Sequence, residues 1–109
     1  PDISWHGLRE GRPDWSSHSR TLAFMLCGMH AALLPGRTAD DYIYVALNMH
    51  WESHNFELPR LRDGRRWLLF ADTFREPPND ICAPGDERPL RTQRNLPVGP
   101  RSVVILVGR

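Results

Sequence analysis

Carboxylates, histidines and tryptophans are the side chains in this sequence that could do chemistry. Paired acids can cleave a glycosidic bond, one protonating the leaving oxygen while the other attacks or stabilises the sugar cation. Here Asp40-Asp41, Glu52, Glu57, Asp72, Asp80 and Asp86-Glu87 fall mostly at turns and strand ends, where solvated or capping carboxylates belong. No catalytic residue is assigned. The histidines are His6, His18, His30, His50 and His54. A zinc site needs three or four converging ligands. His50 and His54 straddle Trp51-Glu52-Ser53, a spacing that would align two ligands on a helix, but the alternation around Asn48 does not read as helix. Surface or interface histidines are expected, with no metal and no cofactor. A small metal-dependent enzyme built on His50 and His54 is the rival from another class. No nucleophile-elbow pattern supports a Ser-His-Asp triad.

Trp5, Trp15, Trp51 and Trp67 are a high count for 109 residues. A sugar can stack its C–H face on an exposed indole while amides and acids bond its hydroxyls. Trp51 with Asn48, His50, Glu52 and Asn55 has that chemistry. The other account has Trp67 filling the core while Trp5, Trp15 and Trp51 pack against a neighbouring domain, since aromatic residues are enriched where interfaces are buried. Both accounts stay open on sequence.

Short strands must position these groups. Ten prolines and eight glycines punctuate short apolar runs, the pattern of an all-β domain. Alternation predicts strands over Thr21 to Cys27, Tyr42 to Trp51, Asn55 to Leu58, Trp67 to Asp72 and Ser102 to Val107. A weak strand is expected over Leu90 to Leu96, and loop from Pro77 to Pro89. In the second strand Ile43, Val45, Leu47, Met49 and Trp51 share one side, and Tyr42, Tyr44, Asn48 and His50 the other. Arg62-Asp63-Gly64-Arg65 supplies a turn, because Asp-Gly readily adopts positive φ. Leu22 through Leu34 is rich in helix-favouring residues; the expectation is nevertheless strand through Cys27, then loop. Trp67 to Ala71 and Val103 to Val107 are apolar on both faces. In a free two-sheet sandwich one face should be polar, so the outer side needs a cover, either a loop of this chain or a further domain.

The composition excludes several functions. The chain is too short for a (β/α)₈ barrel of roughly 250 residues. Net charge is +1 and all fourteen basic residues are Arg. They are spread along the chain apart from Arg60, Arg62, Arg65 and Arg66, so nucleic acid is not expected. No apolar run approaches the ~18 residues of a membrane span. Cys27 and Cys82 are too few for a disulfide framework, and a reducing, cytoplasmic setting is the simplest expectation.

Several segments, in order, resemble the C-terminal region of isoamylase-type and bacterial glycogen-debranching enzymes of the α-amylase superfamily, glycoside hydrolase family 13. They are Ile3-Ser4-Trp5-His6-Gly7 with Pro13-Asp14-Trp15-Ser16, Ser19 to Phe24, and Asp41 to Asn48 with Trp51-Glu52 and Phe56-Glu57-Leu58-Pro59. Trp67 with Ala71-Asp72-Thr73, and Arg101 to Leu106, complete the set. The resemblance covers nearly the whole chain, and Thr92 to Val98 matches only loosely. It implies a single accessory domain over residues 1–109: an antiparallel β-sandwich of six to eight strands with Greek-key-like connectivity. The parent enzyme would hydrolyse α-1,6 branches of glycogen or related glucans. Its catalytic carboxylates would belong to a barrel that precedes this region, and none carries over onto this chain. The implied partners are that barrel and an α-glucan. Trp51, Asn48, His50, Glu52, Trp5 and Trp15 are the candidate glucan or barrel contacts. An uncovered apolar face would also make the isolated chain self-associate.

Overall fold

The computed structural model describes residues 3–16, 19–27, 41–62, 64–82 and 86–109, and none of these is helical. Among the described residues eight strands run in chain order: β1 (Ile3–His6), β2 (Thr21–Leu26), β3 (Tyr42–Asn48), β4 (His54–Glu57), β5 (Trp67–Asp72), β6 (Arg88–Pro89), β7 (Asn95–Val98) and β8 (Ser102–Gly108). All pairings are antiparallel. They form a six-stranded sheet of order β1-β2-β3-β8-β5-β6 and a two-stranded sheet of β4 and β7. The chain crosses to the small sheet after β3, returns at β5, crosses again for β7, and ends with β8 between β3 and β5. That non-sequential order is what a Greek-key-like sandwich requires.

The β-branched and aliphatic run Val103-Val104-Ile105-Leu106-Val107 suits a central strand, because such side chains pack well on a pleated surface. β8 accordingly pairs on both edges. Its inward set is Ser102, Val104 and Leu106. These meet Ala23, Tyr44, Ala46 and Trp67 of the large sheet, and Phe56, Leu58, Leu96 and Val98 from the small sheet and its flank, in one core. Trp67 is 1% exposed and its indole N–H donates to the Pro59 carbonyl at 2.9 Å. Burial therefore leaves its one polar atom satisfied.

Several boundaries depart from expectation for identifiable reasons. β3 stops at Asn48 rather than Trp51, because the Asn48 side chain caps a turn there instead of continuing the ladder. β2 ends at Leu26, one residue before Cys27, and the loop expected beyond Cys27 lies outside the described residues. Ile3–His6 forms β1 by pairing with β2. The weak strand expected over Leu90 to Leu96 is strand only at Asn95 and Leu96, where β7 begins, and β6 falls at the end of the Pro77 to Pro89 stretch expected to be loop. Between the two strands Gln93 donates from Nε2 to the carbonyls of Trp67 (3.0 Å) and Leu90 (3.2 Å), which bends the chain away from the ladder. Gly64 has φ 72°, as the predicted turn needs. It does not close a hairpin: it carries the chain from β4 in one sheet to β5 in the other, while Asp63 lies outside the described residues.

Two buried polar groups give predictions. The Tyr44 hydroxyl is buried without a hydrogen-bond partner among the described residues, and its burial holds the phenol well above its ordinary range, with Glu10 adding to the shift. An unmet buried hydroxyl costs on the order of 1 kcal/mol. Tyr44→Phe should therefore raise stability by about 1 kcal/mol in denaturant unfolding; a clear loss would mean the hydroxyl has a partner.

His6 is 5% exposed. Its Nδ1 accepts from the Gly11 N–H at 2.7 Å, so Nε2 carries the proton and donates to Ser4 Oγ at 2.8 Å. Desolvation holds its pKa below the ordinary 6.5, with Glu10 opposing. The unfolded chain thus takes up the proton first as pH falls. The stability that neutral His6 contributes is present above about pH 6.5 and is lost on acidification through the folded-state value. An NMR titration should give a His6 midpoint under 6.5; a midpoint above it would contradict this reading.

Candidate functional site

Directly paired residues in an antiparallel sheet project to the same face. The register of the large sheet therefore assembles one continuous outer row: Trp5 faces Phe24, Phe24 faces Val45, and Val45 faces Ile105. A parallel row runs Leu22, Leu47, Val103, and another Leu26, Ile43, Val107, Leu68. Every position in these rows is apolar. Most are only half-buried, because no described strand packs over this side. The more aliphatic side of β3 thus points away from the core, while Tyr44 and Asn48 point into it. Sequence alternation separated the two sides without saying which was inward.

Trp15 extends this face. Its ring meets Trp5 edge-on at 5.5 Å and 67°, and Trp5 meets Phe24 at 5.8 Å. Trp5 is 43% and Trp15 64% exposed, so both candidate residues stand on the apolar face with a large part of their area open to solvent. Such an uninterrupted apolar surface exceeds scattered exposure and marks an interaction site.

The remaining candidates gather at one end of the sandwich, around the turn after β3. Asn48 is fully buried. Its Nδ2 donates to the carbonyls of Glu52 (2.9 Å), Gly99 (3.0 Å) and Val98 (3.2 Å), and its Oδ1 accepts from the His50 N–H at 3.1 Å. The amide is spent inside the protein, pinning the turn to the β7–β8 connection. It has no atom left for a ligand. His50 Nδ1 accepts from the Glu52 N–H at 3.3 Å and lies 3.1 Å from His54 Nε2. With that Nδ1 an acceptor, His54 Nε2 is the donor of the pair. The two histidines do come together, but no group of three or more metal-ligating side chains forms among the described residues. His18 and His30 lie outside them. Trp51 is 68% exposed with its ring 5.3 Å from that of His50, and Glu52 is exposed beside it.

A family model described as isoamylase 1-3, C-terminal, matches residues 4–98. The chain belongs to this family. Similar proteins include isoamylase 1, chloroplastic, of Arabidopsis thaliana, 35% identical over 82 residues that make up 75% of this chain and 9% of that protein. Isoamylase SU1, chloroplastic, of Zea mays is 36% identical over 76% of the chain, and isoamylase 1, chloroplastic, of Oryza sativa subsp. japonica is 35% identical over 82% of it. The chain spans about a tenth of their length, 9–10% in each case.

Membership in the isoamylase C-terminal family accounts for the ordered motifs read from the sequence. One expectation is overturned. All three relatives are named chloroplastic, against the cytoplasmic setting inferred from two unpaired cysteines. Free thiols report a reducing environment and carry no information about which compartment supplies it. Sequence reasoning also left unassigned the face of β3 that forms the apolar surface. Its signal was present in the aliphatic uniformity of Ile43, Val45 and Leu47, matched by Val103, Ile105 and Val107.

Proposed function

We propose that this isoamylase C-terminal domain is an accessory, non-catalytic part of an α-1,6-glucan debranching enzyme, and that its outer sheet face docks on the catalytic barrel of the same polypeptide. The observation that carries this reading is the continuous apolar surface from Trp15 and Trp5 across β2, β3 and β8. Side chains of this kind gain roughly 25 cal/mol per Å² of apolar area when a partner covers them. They are costly to leave wet in a finished protein. A rigid, fully paired sheet is also a good buttress, because its backbone is fixed before the partner arrives. Asp41 and Glu87 converge on the Arg109 guanidinium at 2.8 and 3.2 Å; ion-paired in this way they are poorly placed to protonate or attack a glycosidic bond, which supports assigning the chemistry to the barrel.

A second reading has one observation in its favour. Trp51 is exposed to 68% at the sandwich end rather than on the outer face, where it would remain open to an α-glucan after docking. Incubating the purified chain with a branched α-glucan tests both readings. The docking reading predicts no release of reducing ends; release would overturn it. Saturable binding of maltooligosaccharide that Trp51→Ala abolishes would establish the second reading, whereas unchanged binding in that variant would exclude Trp51 as the platform.

A further inference from the structure

The fold brings one distant arginine, Arg94, beside the sequence cluster that contains Arg60, Arg65 and Arg66. At the sandwich end opposite Asn48, the chain leaving β4 and the chain entering β7 flank a cleft of about 170 Å³. Arg60, Arg65, Arg66 and Arg94 line it together with Trp67 and Gln93, and no carboxylate is among the described residues that line it. Three guanidinium groups, those of Arg60, Arg66 and Arg94, at one small cleft stand out in a chain of net charge +1. The cleft is smaller than the roughly 300–1,000 Å³ of a typical small-molecule pocket, so it suits a compact group rather than an extended ligand.

Its walls are fixed by backbone hydrogen bonds. Arg66 exchanges both with Arg109, at 3.0 and 3.1 Å, and the Arg94 carbonyl accepts from the Leu58 N–H at 2.8 Å. Gln93 is tied to Trp67, whose indole is buried and bonded to Pro59. Arg65 packs its guanidinium 5.2 Å over the Tyr42 ring and donates to the Gly108 carbonyl. Arg60 and Arg66 are exposed and Arg94 half-buried, so positive side chains project from a backbone that does not have to reorganise. Guanidinium groups bind tetrahedral oxyanions through paired, charge-assisted N–H donors, a geometry lysine cannot supply. None of the described residues lining the cleft belongs to the outer apolar rows, so docking through that face would leave it accessible.

From this we infer that the Arg60–Arg66–Arg94 cleft is an oxyanion site for a phosphate group, either free inorganic phosphate or a phosphate monoester carried by a larger molecule. The inference is independent of the docking proposal. Titrating the 109-residue chain with inorganic phosphate and with phenyl phosphate, followed by NMR of the arginine side-chain N–H groups, tests it. Saturable, mutually competitive binding is expected, weakened at least about tenfold, or 1.4 kcal/mol, in the Arg60→Ala, Arg66→Ala double variant. Arg20→Ala, at the other end of the sandwich, should leave it unchanged. Equal affinities assign the site to the free ion, and tighter binding of the ester assigns it to a group on a larger molecule. Because both substituted residues are exposed, unfolding of the double variant should match the parent; Arg60→Gln with Arg66→Gln repeats the test should it not. Absence of saturable binding of either ligand up to about 10 mM, or equal weakening by Arg20→Ala, would overturn the inference.

Discussion

Asn48→Ala is expected to destabilise the chain by about 3 kcal/mol, among the largest effects of any single change. The substitution leaves three carbonyls and one N–H without the amide that now bonds them. A buried group that loses its partner costs about 1–3 kcal/mol, and costs within one network do not add fully. Asn48→Asp should be worse than its near-identical shape suggests, because a carboxylate oxygen would replace the Nδ2 donor facing three carbonyl oxygens. Urea unfolding checks both variants, with the slope against denaturant expected to stay constant. A cost within about 0.5 kcal/mol for Asn48→Ala would show that water replaces the amide and that the turn does not depend on it. The turn carries His50, Trp51 and Glu52, so the same variant should displace Trp51 as well.

The second large effect separates the isolated domain from the longer protein. Phe24, Val45 and Ile105 form one row across three strands. Replacing all three by Thr keeps strand-favouring side chains, except that a β-branched residue replaces the Phe24 ring, and removes apolar area from the outer face. Because none belongs to the core, the isolated chain should remain folded. It should also associate less with itself, as sedimentation would record. In the full polypeptide the same changes should cost about 3 kcal/mol of the stability coupled to docking, seen as lower-temperature unfolding of the catalytic part. An equal loss in the isolated chain would place these side chains in its own core instead.

Much of the fold was legible in the residues because local pattern and burial agree there. Trp67–Asp72 was read to the residue, and Ser102–Gly108 within one, since both strands are apolar on both faces and bounded by turn-forming residues. Thr21–Leu26 was recovered against a strong helical propensity. The register was not legible: β4 with β7 and β3 with β8 are long-range pairings that no local window contains. The inward face of β3 was ambiguous for a physical reason. A sheet covered on both sides is apolar on both sides, so hydrophobicity no longer says which side is the core. Tyr44 and Asn48 point inward because the core offers Trp67 and the β7–β8 carbonyls, and those neighbours exist only after folding. The arginine cleft was hidden similarly, with Arg60, Arg65 and Arg66 meeting Arg94 from across the small sheet. Of the candidate site residues, Trp5 and Trp15 were found together on the apolar face. Asn48 carried the right hydrogen-bonding groups and was read as a surface contact, although its whole capacity is used internally.

Hydroxyl-radical footprinting of Trp5, Trp15 and Phe24 tests the docking claim most directly. It would be run on the 109-residue chain and on the complete polypeptide encoded by its reading frame, with buried Trp67 as the unreactive reference in both. Labelling of Trp5, Trp15 and Phe24 is expected to drop severalfold in the longer protein. Equal labelling of all three in the two forms would contradict the docking claim.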